Sequence, residues 1–191
     1  MEFSESVVAE RAREYRRREP LYTVEQEQID TLPSAFASGT FGWRDAVWVV
    51  QWLHRRHLGD APEEVRRTTE DAFRRNDEDA VRDAIEAATR ADDPAAVVDA
   101  LRALEGVDVG VASAFAMFLD PESFVVVGER EWSVLADAGE LPAPYPASPS
   151  VAEYERYLAV CRDLTDRFDC SGWTLYRALW RLGATDSPGE R

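Results

Sequence analysis

The sequence predicts an all-α protein of roughly nine to ten helices. Apolar residues recur at helical rather than alternating spacing along most of the chain. The one β-like run, Phe124 to Val127, is four residues long and has no second run to pair with. A chain of 191 residues that is 45% hydrophobic, with 6 Trp, 6 Tyr and 8 Phe, fills a core of its own rather than remaining disordered. The expected organisation is a charged N-terminal helix or arm over residues 1–20 and a single helical domain over 21–191, within which two sub-domains could meet around 95–140.

The elements follow in order. Phe3 to Arg18 is strongly charged, with few large apolar residues, and reads as an exposed helix or arm ended by Pro20; its RxYRRR end is the densest positive run in the chain. Thr23 to Ala37 has helical spacing through Val24, Gln28 and Ile29, with a break expected at Leu32-Pro33. Gly39 and Gly42 bracket a turn. From Trp43, the residues Val47, Val50 and Leu53 form one stripe with Trp48 and Trp52 beside it, and Gly59 closes the helix. Two amphipathic helices then begin at Pro62 and Asp77 and bury Phe73, Val81 and Ile85. Asp93-Pro94 opens another, which runs to Leu104. After the turn EGVDVG comes a small-sided apolar helix, VASAFAMFL, stopped by Asp120-Pro121. The link Phe124 to Val127 leads to a helix from Glu129 to Ala138, and the four prolines of 141–150 mark a loop. Two helices close the chain, Val151 to Phe168 and Ser171 to Leu182, the second capped by Ser171. No internal repeat is present.

The 22 basic and 37 acidic residues give a net charge of −15, and every basic residue is Arg. The absence of Lys excludes Schiff-base nucleophiles and phosphate-loop or kinase-type lysines. The charge has two readings. It opposes contact with polyanions and anionic membranes, or it records a salt-rich solvent, because in molar salt the Debye length is about 3 Å and surface carboxylates repel one another little. Arg in place of every Lys, with excess Asp and Glu, resembles proteins of salt-loving archaea. Cys161 and Cys170 match no redox or zinc spacing. With no signal pattern at the N-terminus and no membrane-length apolar run, a cytoplasmic location is expected.

The stretch from Leu101 to Ala114, LRALEGVDVGVASA, carries the most chemistry. Gly106 and Gly110 permit a sharp hairpin, and Val111, Ala112, Ser113 and Ala114 are small enough for close helix packing. The amides and positive dipole end of the second helix make an anion site suited to a backbone phosphate. A plain αα-corner is the alternative on these residues.

The pattern Leu101-x-x-Leu104-x-Gly106-Val107, with Ala112 following, resembles the helix-hairpin-helix signature of the base-excision DNA glycosylase superfamily, usually L-P-G-V-G before a small-residue helix. The similarity continues through Asp120-Pro121-Glu122, the link Phe124 to Val127, Gly128-Glu129-Arg130 and a helix with Trp132 and Leu135. It is weaker over residues 40 to 184. The resemblance implies a DNA-glycosylase-like, DNA-binding protein of base-excision repair. Its DNA contacts would be Gly106, Val107, Asp108, Val109, Gly110 and Val111, with Arg130 and Trp132 near the pocket. Family members that cleave the strand use a Lys where this chain has Gly110, so that lyase chemistry is excluded. The Asp of monofunctional members falls on Gly128, which leaves Glu129 as the candidate catalytic carboxylate or, alternatively, as an acid that complements the helix dipole. Asp108 replaces the second hairpin glycine and would repel a phosphate unless a monovalent or divalent cation sits between them; no other cofactor and no metal centre is implied. The rival class is a non-enzymatic helical protein whose hairpin serves protein contact or structure only.

Other residues favour structural readings. His54 and His57 lack a carboxylate partner fixed by spacing, which makes a poor metal site. Arg55, Arg56, Arg66, Arg67, Arg74 and Arg75 could line a phosphate groove, or pair with interleaved Glu and Asp at i to i+4. Trp43, Trp48, Trp52, Trp173 and Trp180 fall at core spacing, and Trp132 alone is expected near the interface. Arg130 is open between binding phosphate and pairing locally.

Overall fold

The computed structural model describes residues 3–55 and 63–184, and among them the chain forms ten α-helices and no strand. They are α1 (Glu5–Arg18), α2 (Tyr22–Ser38), α3 (Trp43–Arg55), α4 (Glu63–Phe73), α5 (Glu78–Arg90), α6 (Pro94–Arg102), α7 (Val109–Leu119), α8 (Glu129–Asp137), α9 (Val151–Phe168) and α10 (Gly172–Ala184). The glycine stop at Gly59, the proline start at Pro62, and His57 lie outside the described residues.

The apolar helix α7 is the axis of the molecule. A helix hydrophobic all round has to be buried on every side, and every residue from Val111 to Phe118 is. Its small residues let α2, α3 and α6 pack against it. Local chemistry sets the helix ends: Gly39 closes α2 at φ 69°, Asp93 accepts from the Ala96 amide ahead of Pro94, and Ser150 with Glu153 forms a reciprocal cap on α9.

Two expectations are corrected. The charged segment before Pro20 is not an exposed arm, because α1 lies along α10 and buries Val8 and Tyr15. Its charges do not prevent this, since Glu14 is matched by Arg11 at 2.7 Å, Arg18 at 3.3 Å and Arg181 at 3.1 Å. The Arg11 hydrogen bond, with both arginine charges, holds the Glu14 carboxyl below its usual range against a desolvation cost. Nor does Pro33 break α2. Proline removes one ladder bond, but Leu32 and Phe36 are buried on either side, and tertiary packing carries the helix through.

A single carboxylate ties four helices together. Glu25 of α2 is fully buried and accepts from the Tyr15 hydroxyl of α1 at 2.7 Å and the Trp52 indole of α3 at 3.0 Å. On its other oxygen it takes both Nε and Nη2 of Arg177 in α10, at 3.1 and 2.8 Å. Arg177 also donates to Gln26 at 2.9 Å and lies over the Tyr22 ring. Burial pushes the Tyr15 phenol well above its ordinary range, which keeps it a neutral donor.

The Phe124 to Val127 link is buried and belongs to no helix or strand, so its backbone polar groups need other partners. The Val126 amide donates to Met117 Sδ at 3.3 Å and the Val127 amide to Ser113 Oγ at 3.0 Å. The Val125 and Val126 carbonyls accept from the Tyr154 and Tyr157 hydroxyls at 3.2 and 2.9 Å. Beside Tyr157, burial pushes the Cys161 thiol up to about 12.

Arg177→Met leaves Glu25 buried without its cation and is expected to cost about 3 to 5 kcal/mol in urea unfolding. Glu25→Leu combined with Arg177→Met is expected to lose less than the single variant, because it removes both charges. A double variant less stable than Arg177→Met would overturn this view of the node.

Candidate functional site

The hairpin lies between α6 and α7. After Arg102 the chain turns through two short backbone bonds, Leu104 to Leu101 at 3.2 Å and Val107 to Leu104 at 3.3 Å. Gly106 then adopts φ +74°, and a Cβ there would sit 2.7 Å from the Phe73 amide nitrogen and 2.9 Å from the Thr69 carbonyl oxygen of α4. Both the conformation and the space demand glycine. Asn76 locks the turn: its Oδ1 accepts from the Glu105 amide at 2.9 Å and its Nδ2 donates to the Glu105 carbonyl at 3.0 Å. Asn76 carries no sequence signal, and its role emerges only from the fold.

Val107, Val109 and Val111 point into the core, while Asp108 is exposed. Asp108 is the N-cap of α7, and its Oδ1 accepts from the Val111 amide at 2.9 Å. One of the amides expected to hold an anion is therefore already occupied by the chain's own carboxylate. The Val109 and Gly110 amides are the first two of the helix and have no acceptor within it. Beside them lies a groove of about 420 Å³ whose lining includes Thr69, Arg102, Gly106, Asp108, Ser148 and Pro149. Arg102, which carries no signal of its own in the sequence, pairs with exposed Asp99 at 3.1 Å. Such surface pairs are weak and exchangeable.

The start of α8 lies against this hairpin. A Cβ on Gly110 would be 3.7 Å from the Val127 carbonyl oxygen, and Gly128 follows as the extended N-cap of α8. Glu129 is thus brought near the hairpin, exposed in the first turn. Arg130 stacks on the Trp180 ring, with its guanidinium carbon 4.0 Å from the ring centroid, and its stem fills the space beside Gly183. That contact joins α8 to α10. Trp132, expected near the interface, is a core residue: it is 1% exposed, stacks on Tyr157 and donates to the Pro142 carbonyl at 2.8 Å. Its indole anchors the proline-rich loop and offers no face to a ligand.

Below this corner the Trp180 indole donates to Glu19 at 3.3 Å. Burial raises the Glu19 carboxyl above its usual range, outweighing the Trp180 bond and the nearby Arg181 and Arg130 charges. Among the other arginines, Arg66 and Arg67 pair with Glu63 and Glu70 on their own helix, Arg74 just past its end pairs with Glu70, and Arg75 pairs with Glu105 across the turn. The described part of the chain holds no group of three His, Cys, Asp or Glu side chains placed to bind a metal, and no described helix is long and apolar enough to cross a membrane.

Fold and corner together define an all-helical protein built around a glycine-locked αα hairpin. No protein-family model matches the chain, and neither does any curated protein or any solved structure.

A carboxyl whose folded value is raised holds its proton longer in the native state, so stability falls as pH rises from the ordinary carboxylate value through the raised one. Glu19→Gln keeps an acceptor for Trp180 and removes that ionisation. It is expected to flatten this fall in stability, giving a variant more stable than the parent at neutral pH and not at acid pH. Unfolding curves across that window that run parallel for the two proteins would contradict it.

Proposed function

We propose that this chain is a DNA-glycosylase-like protein that binds the DNA backbone through the α6–α7 hairpin and lacks the lysine and aspartate chemistry usual in base-excision repair. The observation that carries the reading is the glycine-locked turn. With Gly106 held against α4 by space and by φ, the Val109 and Gly110 amides, which have no acceptor within the helix, stand at the positive end of α7, and Val109, Asp108 and Arg102 line the adjoining groove. A backbone phosphate suits this seat, and Arg102 can exchange its exposed Asp99 partner for it. The resemblance of Leu101 to Ala112 to the helix-hairpin-helix signature supports the same assignment.

Asp108 sets the conditions of binding. Its carboxylate caps α7 and lies beside the phosphate seat, so a cation between the two anions, or a high salt concentration, relieves their repulsion. Glu129 is the carboxylate closest in sequence to Gly128, at the start of α8, and is the residue from which base release would be assisted. Its exposed first-turn position also suits an acid that complements the helix dipole. One observation favours the rival reading of a plain corner: the chain itself already satisfies the Val111 amide.

The deciding substitution is Asp108→Asn, because asparagine caps a helix about as well as aspartate and carries no charge. Under the DNA reading, duplex binding measured by anisotropy in KCl tightens by about threefold to tenfold, since one repulsive charge is gone. Wild-type protein that binds neither duplex nor single strand at any salt concentration would leave the corner reading in its place. On a panel of damaged bases in molar KCl, release that disappears in Glu129→Gln assigns the carboxylate to chemistry, and undiminished release assigns it to the helix dipole.

A further inference from the structure

The RxYRRR run of α1 is divided by its helix into two faces. Tyr15 turns inward to Glu25, and Arg18 turns back to Glu14. Arg13 and Arg17, four residues apart, share the opposite face, where both are exposed and neither has a carboxylate within 4.0 Å among the described residues. Exposed Arg16 lies beside them, over the Tyr22 ring at 5.8 Å.

This arrangement departs from the rest of the surface. Between the start of α4 and the end of α6, Arg67, Arg74, Arg90 and Arg102 each meet a carboxylate three or four residues away. On α1, Glu14 is already shared by Arg11, Arg18 and Arg181. A chain of net charge −15 therefore keeps, at one helix end, arginines that form no ion pair among the described residues. The helix dipole favours cations in the last turn, which accounts for Arg16 and Arg17. It does not account for Arg13, a turn earlier.

The position of this face connects it to the hairpin. Glu19, the residue after α1, accepts from Trp180, and Arg130 of α8 stacks on the same indole. The other flank of the α8 start is the Val127 carbonyl at Gly110 of the hairpin. The first turn of α8 thus lies between the hairpin and the end of α1. Arginine binds phosphate oxygens through a planar fork of donors, and three exposed forks on one helix end suit a run of backbone phosphates.

We infer that Arg13, Arg16 and Arg17 form a second DNA-backbone contact, which takes the phosphates of a duplex that leaves the hairpin and passes the start of α8. The inference rests on the DNA-binding reading of the hairpin and extends it from one phosphate seat to a bipartite surface.

The test is the salt dependence of binding to a duplex of about two helical turns. Wild type is compared with Arg13→Gln/Arg17→Gln and with a control pair, Arg67→Gln/Arg90→Gln, which makes the same change in charge at exposed arginines elsewhere. Both pairs lie on the surface, and unchanged thermal midpoints establish that the fold is retained. The α1 pair is expected to bind about tenfold more weakly at low salt and to reduce the slope of log affinity against log salt by about 2, with the control pair close to wild type. Equal slopes for wild type and the α1 pair, with wild type still binding, overturn the second contact and leave the hairpin reading intact. Equal weakening by both pairs also overturns it, because net charge rather than position would be responsible. Wild type that binds no duplex at any salt removes the hairpin reading and this one with it.

Discussion

The Glu25 carboxylate is the constraint on which the arrangement of helices depends. A buried carboxylate without partners is costly enough that the fold has to bring donors to it. Here the donors come from three directions, as Tyr15, Trp52 and Arg177 reach it from α1, α3 and α10. The position of α1 along α10 follows from this, and it draws Glu14 onto Arg181 in the same contact. The hydrophobic core around α7 is large but not directional. The Glu25 node supplies direction, since an arginine that places two N–H groups on one carboxylate oxygen and two fixed donors on the other are satisfied together in few geometries.

A second polar device places the functional corner. The Phe124 to Val127 link is buried outside any helix or strand, and tyrosine hydroxyls, a serine and a thioether satisfy its backbone. Ser113 is central to it, accepting from the Val127 amide while donating to the Gly110 carbonyl at 2.7 Å. One hydroxyl thus fixes the end of the link against the hairpin and, with it, the start of α8. A side chain lost there would loosen two elements that are distant in sequence and adjacent in space.

Much of this was legible in the sequence where the signals are local. The bounds of α9 follow from a proline-rich loop, a 3.6-residue period and the ending at Phe168, all within twenty residues of one another. The hairpin and its glycines were legible for the same reason. What escaped depends on residues far apart. The burial of α1 could not be read from a charged segment, because the partners of Glu14 and Tyr15 include side chains elsewhere in the chain. The continuity of α2 through Pro33 depends on packing around Leu32 and Phe36. Trp132 was expected near the pocket because the resemblance puts the Gly128-Glu129-Arg130 corner there, while its indole partner, Pro142, lies in the loop it anchors. Asp108 was read as a charge opposing phosphate. Its capping role had a signal, an aspartate directly before a helix start, and the structure shows both properties in the same carboxylate.

The pairing of Glu25 with Arg177 also has a kinetic side. During synthesis α2 is complete long before α10 exists, so the carboxylate that will lie at the centre of the molecule must remain hydrated until 152 further residues have been added. The same delay applies to α1, whose long contact is with the last helix. Closure of this long loop carries an entropic cost before its contacts form. A nascent chain lacking α10 has neither Arg177 to pair with Glu25 nor the helix against which α1 packs, so the Glu25 node is complete only when both ends of the described chain are present.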